Sequence, residues 1–333
     1  MDYLRDLDFA DAKDMVATFM SKHGQTDLLP AGSIYVTDGL EGLPLKIVPD
    51  ESATYTRYRL KVEDEDADED KEVILYTVGV LTQKLLPPFK PKRRYNAQRD
   101  SVFKGFRQSI SLHGAGADAT IKAIECAKLG FVLLERHVAK PATFPSERVC
   151  ADNFTISNPY FETGEDAKGK EMIKFSALVD PFGDLNHHQT DGCTHTADNE
   201  VQYLEGWEDE DGIFKHGPVS PSRFRPGDIV RAGFTICIRQ DNAYTASTSD
   251  FELVLRSVTL IDDTISTAIA MKELDAPALT GKKRAAVSRG ALVEEARDRP
   301  VAKVRKAMAK LSIRSTAMDI DKAGGSNAGN TLA

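Results

Sequence analysis

SISLHGAGADATIKAIECA, residues 109–127, changes its hydrophobic period halfway along, and the reading of the fold turns on that change. Ser109 to His113 alternates polar and apolar side chains, the period of a strand with one buried face. Gly114-Ala-Gly116 follows, and glycine tolerates the backbone angles that a sharp reversal demands. From Asp118 to His137 the apolar residues Ile121, Ile124, Leu129, Val132 and Leu133 recur at helical spacing. Strand, glycine turn and helix in direct succession predict an α+β protein.

Working outward, Asp8 to His23 reads as a helix carrying Phe9, Ala12, Val16 and Phe19 on one side. Ser33 to Lys61 holds several short β-type runs broken by Gly and Pro, and Glu72 to Leu81 (EVILYTVGVL) reads as a buried strand. Pro87 to Arg94 is a basic, proline-stiffened connector, and Ala97 to Gln108 has a helical stripe of Val102, Phe103 and Phe106. Asn153 to Phe161 and Met172 to Val179 are expected as two strands, with Glu162 to Lys170 (ETGEDAKGK) as the hairpin turn between them. Further on, Arg225-Pro-Gly-Asp228 is a turn that launches a long strand, Ile229 to Gln240. With Phe251 to Asp262 and Glu200 to Leu204 it predicts a small antiparallel barrel or sandwich. The expected organisation is 1–72, an N-terminal α/β segment with an acidic loop; 73–180, a mixed α/β domain; 181–270, an acidic β domain; and 271–333, a basic helical or disordered tail.

Charge is segregated along the chain, although the net value is only −8. Residues 63–72 hold eight acids and one Lys, whereas residues 84–107 hold eight Lys/Arg and one Asp. Residues 281–314 hold eleven Lys/Arg against three acids, and residues 181–270 hold six against fifteen. Such blocks steer charged partners or neutralise one another. Four scattered cysteines with no C-x-x-C pair suit a reducing compartment. An acidic N-terminus and the lack of a long apolar run argue against secretion and membrane insertion. The short basic runs Lys92-Arg-Arg94 and Lys282-Lys-Arg284 are of the nuclear-import type, so an intracellular and preferably nuclear location is expected.

The element order of residues 73–180, centred on Ser109 to Ala127, resembles the Alba family of small DNA- and RNA-binding proteins. Three places carry the likeness: the strand running into Gly114-Ala-Gly116, the helical Lys122-Ala-Ile-Glu-Cys-Ala127, and the Lys-Pro-Lys group at Lys90 to Lys92. The resemblance implies that Lys90, Lys92 and Arg93 touch phosphates, that Lys168 and Lys170 lie on a hairpin arm along a groove, and that Lys122 faces the same surface. Arg94, Lys104 and Arg107 complete the basic segment, and DNA or RNA is the expected partner. Asp118 stands as an extra residue before the helix, Glu165 and Asp166 dilute the hairpin, and the family has no counterpart for residues 1–70 or 181–333. Residues 150–262 also resemble an uncharacterised multicopy family of mushroom-forming fungi, through Val179-Asp-Pro-Phe-Gly183, His195-Thr-Ala-Asp-Asn199, Phe224-Arg-Pro-Gly-Asp-Ile-Val230 and Val254-Leu-Arg-Ser257. That likeness implies a eukaryotic source and no chemistry.

Other constellations compete. His187, His188, Asp191, Cys193, His195 and Asp198 form the densest set of metal-ligand side chains, from which three could serve zinc or non-haem iron. The turn at Arg225 suggests an OB-like barrel over 181–270, with Tyr203, Trp207 and Phe234 as base platforms, but the acidic balance there opposes phosphates. That block is therefore expected to contact a protein partner or its own copies. No third glycine and no P-loop Lys-Ser/Thr follow Gly116, and no catalytic motif or cofactor signature appears, so the expectation is a non-enzymatic protein without a cofactor.

Overall fold

A computed structural model of the chain describes residues 9–23, 33–62, 70–88, 106–242 and 248–275. The chain divides into two units, Met1–Asp275 and Ala276–Ala333, and the second lies outside the described residues, with the expected basic tail. The first unit is α+β, with one large mixed sheet and a small two-stranded one. It begins with helix α1 (Phe9–His23), then β1 (Ser33–Tyr35), β2 (Leu45–Glu51), β3 (Tyr55–Val62), β4 (Lys71–Glu72), β5 (Ile74–Leu85) and β6 (Arg107–His113). Helix α2 (Asp118–Glu135) precedes β7 (Ala142–Thr143), β8 (Val149–Cys150), β9 (Asn153–Pro159), β10 (Glu162–Thr163) and β11 (Cys193–Thr194). β12 (Gln202–Glu208), β13 (Phe214–Pro218), β14 (Ile229–Asp241), β15 (Ser249–Asp262) and helix α3 (Thr264–Asp275) complete it.

Five strands close into a circuit, β5-β6-β9-β15-β14 and back to β5. Numbered along the chain, that order is 1-2-3-5-4-1. Every pairing is antiparallel except β15 with β9, a parallel contact with the single register pair Val254↔Ser157. This seam is the weakest edge of the barrel. β14 is the organising strand: along one side it pairs with β15, and along the other it pairs first with β5 and then, from Cys237 onward, with β3.

Alternation along β14 sorts the two faces. Val230, Ala232, Phe234, Ile236 and Ile238 turn inward with Ile110, Leu112, Phe154, Ile156 and Leu255 to form the main core. Ile229 turns outward with Val78 and Val80 of β5, and this patch is covered by Ala12, Val16 and Phe19 of α1 and Ile269 of α3. Helix α2 joins the main core through Ala123, Cys126, Ala127 and Leu134. Its small residues let it approach closely: a Cβ on Gly130 would stand 2.7 Å from Ile236 Cδ1. The glycine turn works as its composition suggests, since a Cβ on Gly114 would meet the Thr120 side chain at 2.5 Å and Gly116 has φ 76.

Three expectations are corrected. The acidic block 181–270 is no barrel of its own, because β14 and β15 complete a barrel begun by β5, β6 and β9, and the boundary expected after residue 180 runs through one sheet. Met172 to Val179 is not a strand, and no hairpin spans 162–170. Instead β10 pairs with β11, and the period-two run has its backbone bonded by side chains and an isolated carbonyl. Phe175 N donates to Asn186 Oδ1 at 3.0 Å, and Ile173 N donates to the His195 carbonyl at 2.8 Å. Third, the helix expected over 97–108 ends differently: Arg107 and Gln108 begin β6, and residues 97–105 lie outside the described residues.

Candidate nucleic-acid interface

The basic segment occupies one topological position, the connection between the first and second strands of the barrel circuit, β5 and β6. Of its expected contact residues, Lys90, Lys92, Arg93, Arg94 and Lys104 lie outside the described residues. Its two ends are described. Lys84, on β5, donates from Nζ to the Phe224 carbonyl, which ties the end of β5 to the turn before β14. Arg107 opens β6 half-buried, its Nε donating to Ser157 Oγ at 3.1 Å and its Nη2 standing 3.3 Å from Glu252 Oε1. Glu252 lies near the start of β15, so the rim of the first connection meets the rim of the β14–β15 connection.

Outward positions on β6 and β9 pair small polar side chains across the strands, Ser109 with Ser157 and Ser111 with Thr155. The last pair shares a 2.8 Å hydrogen bond. This strip is polar and, among its described residues, carries no aromatic ring. The expected platforms are elsewhere. Phe234 is fully buried in the barrel, and Tyr203 is buried with its hydroxyl donating to Gln108 Oε1 at 2.7 Å. Trp207 alone of the three is exposed, on β12.

The remaining expected cations do not converge on this rim. Lys122, exposed on α2, pairs with Glu125 at 3.0 Å, and that bond raises its pKa. Lys168 pairs with Glu165 at 2.7 Å within one turn after β10, and half-buried Lys170 follows it there without the hairpin expected to carry both.

The metal-ligand set is also dispersed, and among the described residues no three His, Cys, Asp or Glu side chains are placed to hold an ion. His187 and Asp191 are exposed, His188 is half-buried, and Cys193 sits in β11. His195 is buried, stacked on Phe175 at a 3.8 Å ring separation, with Nδ1 2.8 Å from the Tyr160 carbonyl. Burial, only partly opposed by that carbonyl, lowers its pKa, so it is a neutral packing residue. Asp198 is engaged by arginine: Arg59 Nη1 and Nη2 donate to its two oxygens at 2.9 and 2.8 Å. Burial would raise its pKa, but Arg59 and then Arg256 outweigh burial and hold it at about 2.

Asp198 belongs to a group of residues that the sequence reading missed, a polar clamp across the weak barrel seam. Asn158 Nδ2 on β9 donates to the Leu255 carbonyl of β15 at 3.0 Å and to the Asp198 carbonyl at 2.9 Å. Gln108 Nε2 on β6 donates to the Asn199 carbonyl at 2.7 Å, and Arg256 Nη1 on β15 donates to the Asp198 carbonyl at 2.6 Å. The turn that receives these bonds is fixed by Thr196, whose N and Oγ1 donate to Asn199 Oδ1 at 3.1 and 2.9 Å. A signal existed: Gln108 and Asn158 fall on the inward phase of strands whose other inward residues are Ile110, Leu112, Phe154 and Ile156, and a polar side chain there must have a partner.

Around the clamp lies a dense arginine network. Buried Arg59 also meets Glu72 at 3.0 Å and Asp50 at 3.2 Å, and Arg256 meets Glu72 at 2.8 Å. Burial opposes the charge on Arg59, but Asp198 and Glu72 outweigh it and raise its pKa. Arg239, at the end of β14, meets Asp250 at 3.3 Å. These carboxylates neutralise Arg59, Arg239 and Arg256. Comparison of the chain with protein-family models, with curated proteins and with solved structures finds no match.

Proposed function

We propose that the protein is a non-enzymatic nucleic-acid-binding protein that engages single strands through the connection between β5 and β6, largely without regard to sequence. The observation that carries this reading is the coincidence of charge and topology. The one stretch of the first unit with eight Lys/Arg against one Asp joins the first two strands of a five-stranded circuit ordered 1-2-3-5-4-1. That order is the order of OB-type barrels, which bind oligonucleotides on the face of strands 2 and 3 and with the loops joining strands 1–2 and 4–5. The chain departs from that type in placing its long helix, α2, between the second and third strands. Arg107, half-buried at the end of the basic connection and beside the Ser/Thr strip of β6 and β9, is the described cation best placed to extend the contact.

Because the strip lacks rings for base stacking, affinity rests on phosphates, which position a strand and carry no sequence information. The Alba-type hairpin contribution of Lys168 and Lys170 has no place in this reading. Fluorescence anisotropy with labelled oligothymidylate, oligouridylate and duplex DNA tests it. Reversing Lys90, Lys92, Arg93 and Arg94 to Glu together should weaken single-strand binding at least about a hundredfold, since each lost phosphate contact removes a released counterion. Equal affinity in the reversed protein refutes the assignment.

A further inference from the structure

We propose that Arg231, together with the hydroxyls of Ser257, Thr259 and Tyr35, forms an oxoanion site on the outer face of the barrel, suited to a phosphate-sized group. Arg231 is 3 % exposed, yet among the described residues no carboxylate stands within 4.0 Å of its guanidinium. It contrasts with Arg59, Arg107, Arg223, Arg239 and Arg256, each of which has at least one carboxylate. Arginine keeps its charge in proteins, and a buried charge without a counter-ion is costly. What Arg231 does have is Tyr35 Oη, 3.2 Å from Nη1, and the rings of Tyr76 and Phe214, each 5.4 Å from its guanidinium carbon. Rings attract such a cation weakly and do not neutralise it.

The neighbours on β15 complete the set. Thr259 is the direct cross-strand partner of Arg231, and Ser257 is the partner of Gly233 one step along the same face. Arg231 Nε, Thr259 Oγ1 and Ser257 Oγ are all buried and without a hydrogen-bond partner. One guanidinium and three hydroxyls can offer an oxoanion several donors at once, and charge-assisted bonds of that kind are the strong ones. Gly233, the cross-strand partner of Ser257, leaves room for that hydroxyl and the Tyr76 ring to pack on its backbone: a Cβ there would collide with Ser257 Oγ and stand 2.7 Å from Tyr76 Cε1. On neighbouring β13, the pKa of His216 is lowered by burial and then by the charge of Arg231. This proposal does not depend on the nucleic-acid reading.

The test uses the full chain with inorganic phosphate, against chloride at matched ionic strength, by calorimetric titration and thermal unfolding. At roughly ten times its Kd, phosphate should raise the melting temperature by about 2–4 °C. Arg231→Met should abolish both the heat of binding and the shift, and Thr259→Val, isosteric and uncharged, should weaken binding at least about threefold. Should Arg231→Met fail to fold, Thr259→Val and Ser257→Ala decide the matter. Adenosine 5′-monophosphate in a parallel titration separates a free ion from a phosphoryl group carried on a nucleoside, by which of the two binds more tightly. No phosphate binding by the wild type, or binding unchanged in the folded variants, overturns the site.

Discussion

Replacing Asp198 by Asn removes one charge from the clamp while keeping the shape of the side chain. The carboxyl is held at about 2 rather than 3.8, a difference equivalent to roughly 2.4 kcal/mol of native-state stabilisation. About a third of the side chain is open to water, at 34 %, so screening lowers that figure, and Arg59 keeps Glu72 and Asp50 as partners. The expected loss is therefore about 1.5–2 kcal/mol at pH 7, or roughly 3–6 °C in melting temperature. Because folding holds this carboxyl below its unfolded value, its contribution is complete above about pH 5 and is lost as the pH falls from there through about 2. Urea unfolding of wild type and Asp198→Asn, followed by circular dichroism from pH 7 to pH 2.5, reads both quantities. The gap between the proteins should be constant down to about pH 5 and then narrow. A gap under about 0.5 kcal/mol at pH 7, or one that stays constant to pH 2.5, refutes the clamp as described.

Three further outcomes follow from particular contacts. Gly130→Ala should destabilise by about 1–3 kcal/mol through overpacking against Ile236, and Ile236→Val in the same chain should recover part of the loss, as a double-mutant cycle would show. Asn158→Ala removes a donor from the Leu255 and Asp198 carbonyls at the seam, of which the second keeps Arg256, and should cost about 1–3 kcal/mol in denaturant unfolding, whereas a surface-like loss under 0.5 kcal/mol would show that the seam closes without it. Burial, reinforced by Glu125 and Glu252 respectively, pushes the Cys126 thiol up to about 11 and the Cys237 thiol up to about 12. In native protein at pH 8, alkylation mapped by mass spectrometry should therefore label half-buried Cys150 and Cys193 first, with Cys126 and Cys237 reacting only on unfolding.

Local structure was largely legible along the chain. Ile229 to Gln240 and Phe251 to Asp262 stand as β14 and β15 almost to the residue, and the helices expected over 8–23 and 118–137 are α1 and α2, the second ending two residues earlier at Glu135. Those elements carry their own period and their own turn signals. Partner choice was hidden, because period two tells a strand which face is buried and nothing about which strand lies beside it. Hence β14 and β15 were expected in a domain of their own, although β14 spans β5 and β3 along one edge. Met172 to Val179 had the right period and lacked a strand neighbour, with Asn186 and Gln189 side chains taking up its backbone groups. Among the candidate site residues, the acidic side chains nearest in sequence were easy to list, but long-range pairs were not: Arg59 meets Asp198 across 139 positions. That pairing is why Asp198 serves as an arginine clamp where the density of ligand-type side chains suggested a metal.

If the cations between β5 and β6 hold phosphates as proposed, the affinity for single strands depends on salt. With about four phosphates neutralised, the logarithm of the association constant should fall with the logarithm of salt at a slope of roughly −3, and the fourfold reversal at 90, 92, 93 and 94 should flatten the slope toward zero. A slope near zero for the wild type, or the same slope in both proteins, rules out phosphate binding by these cations.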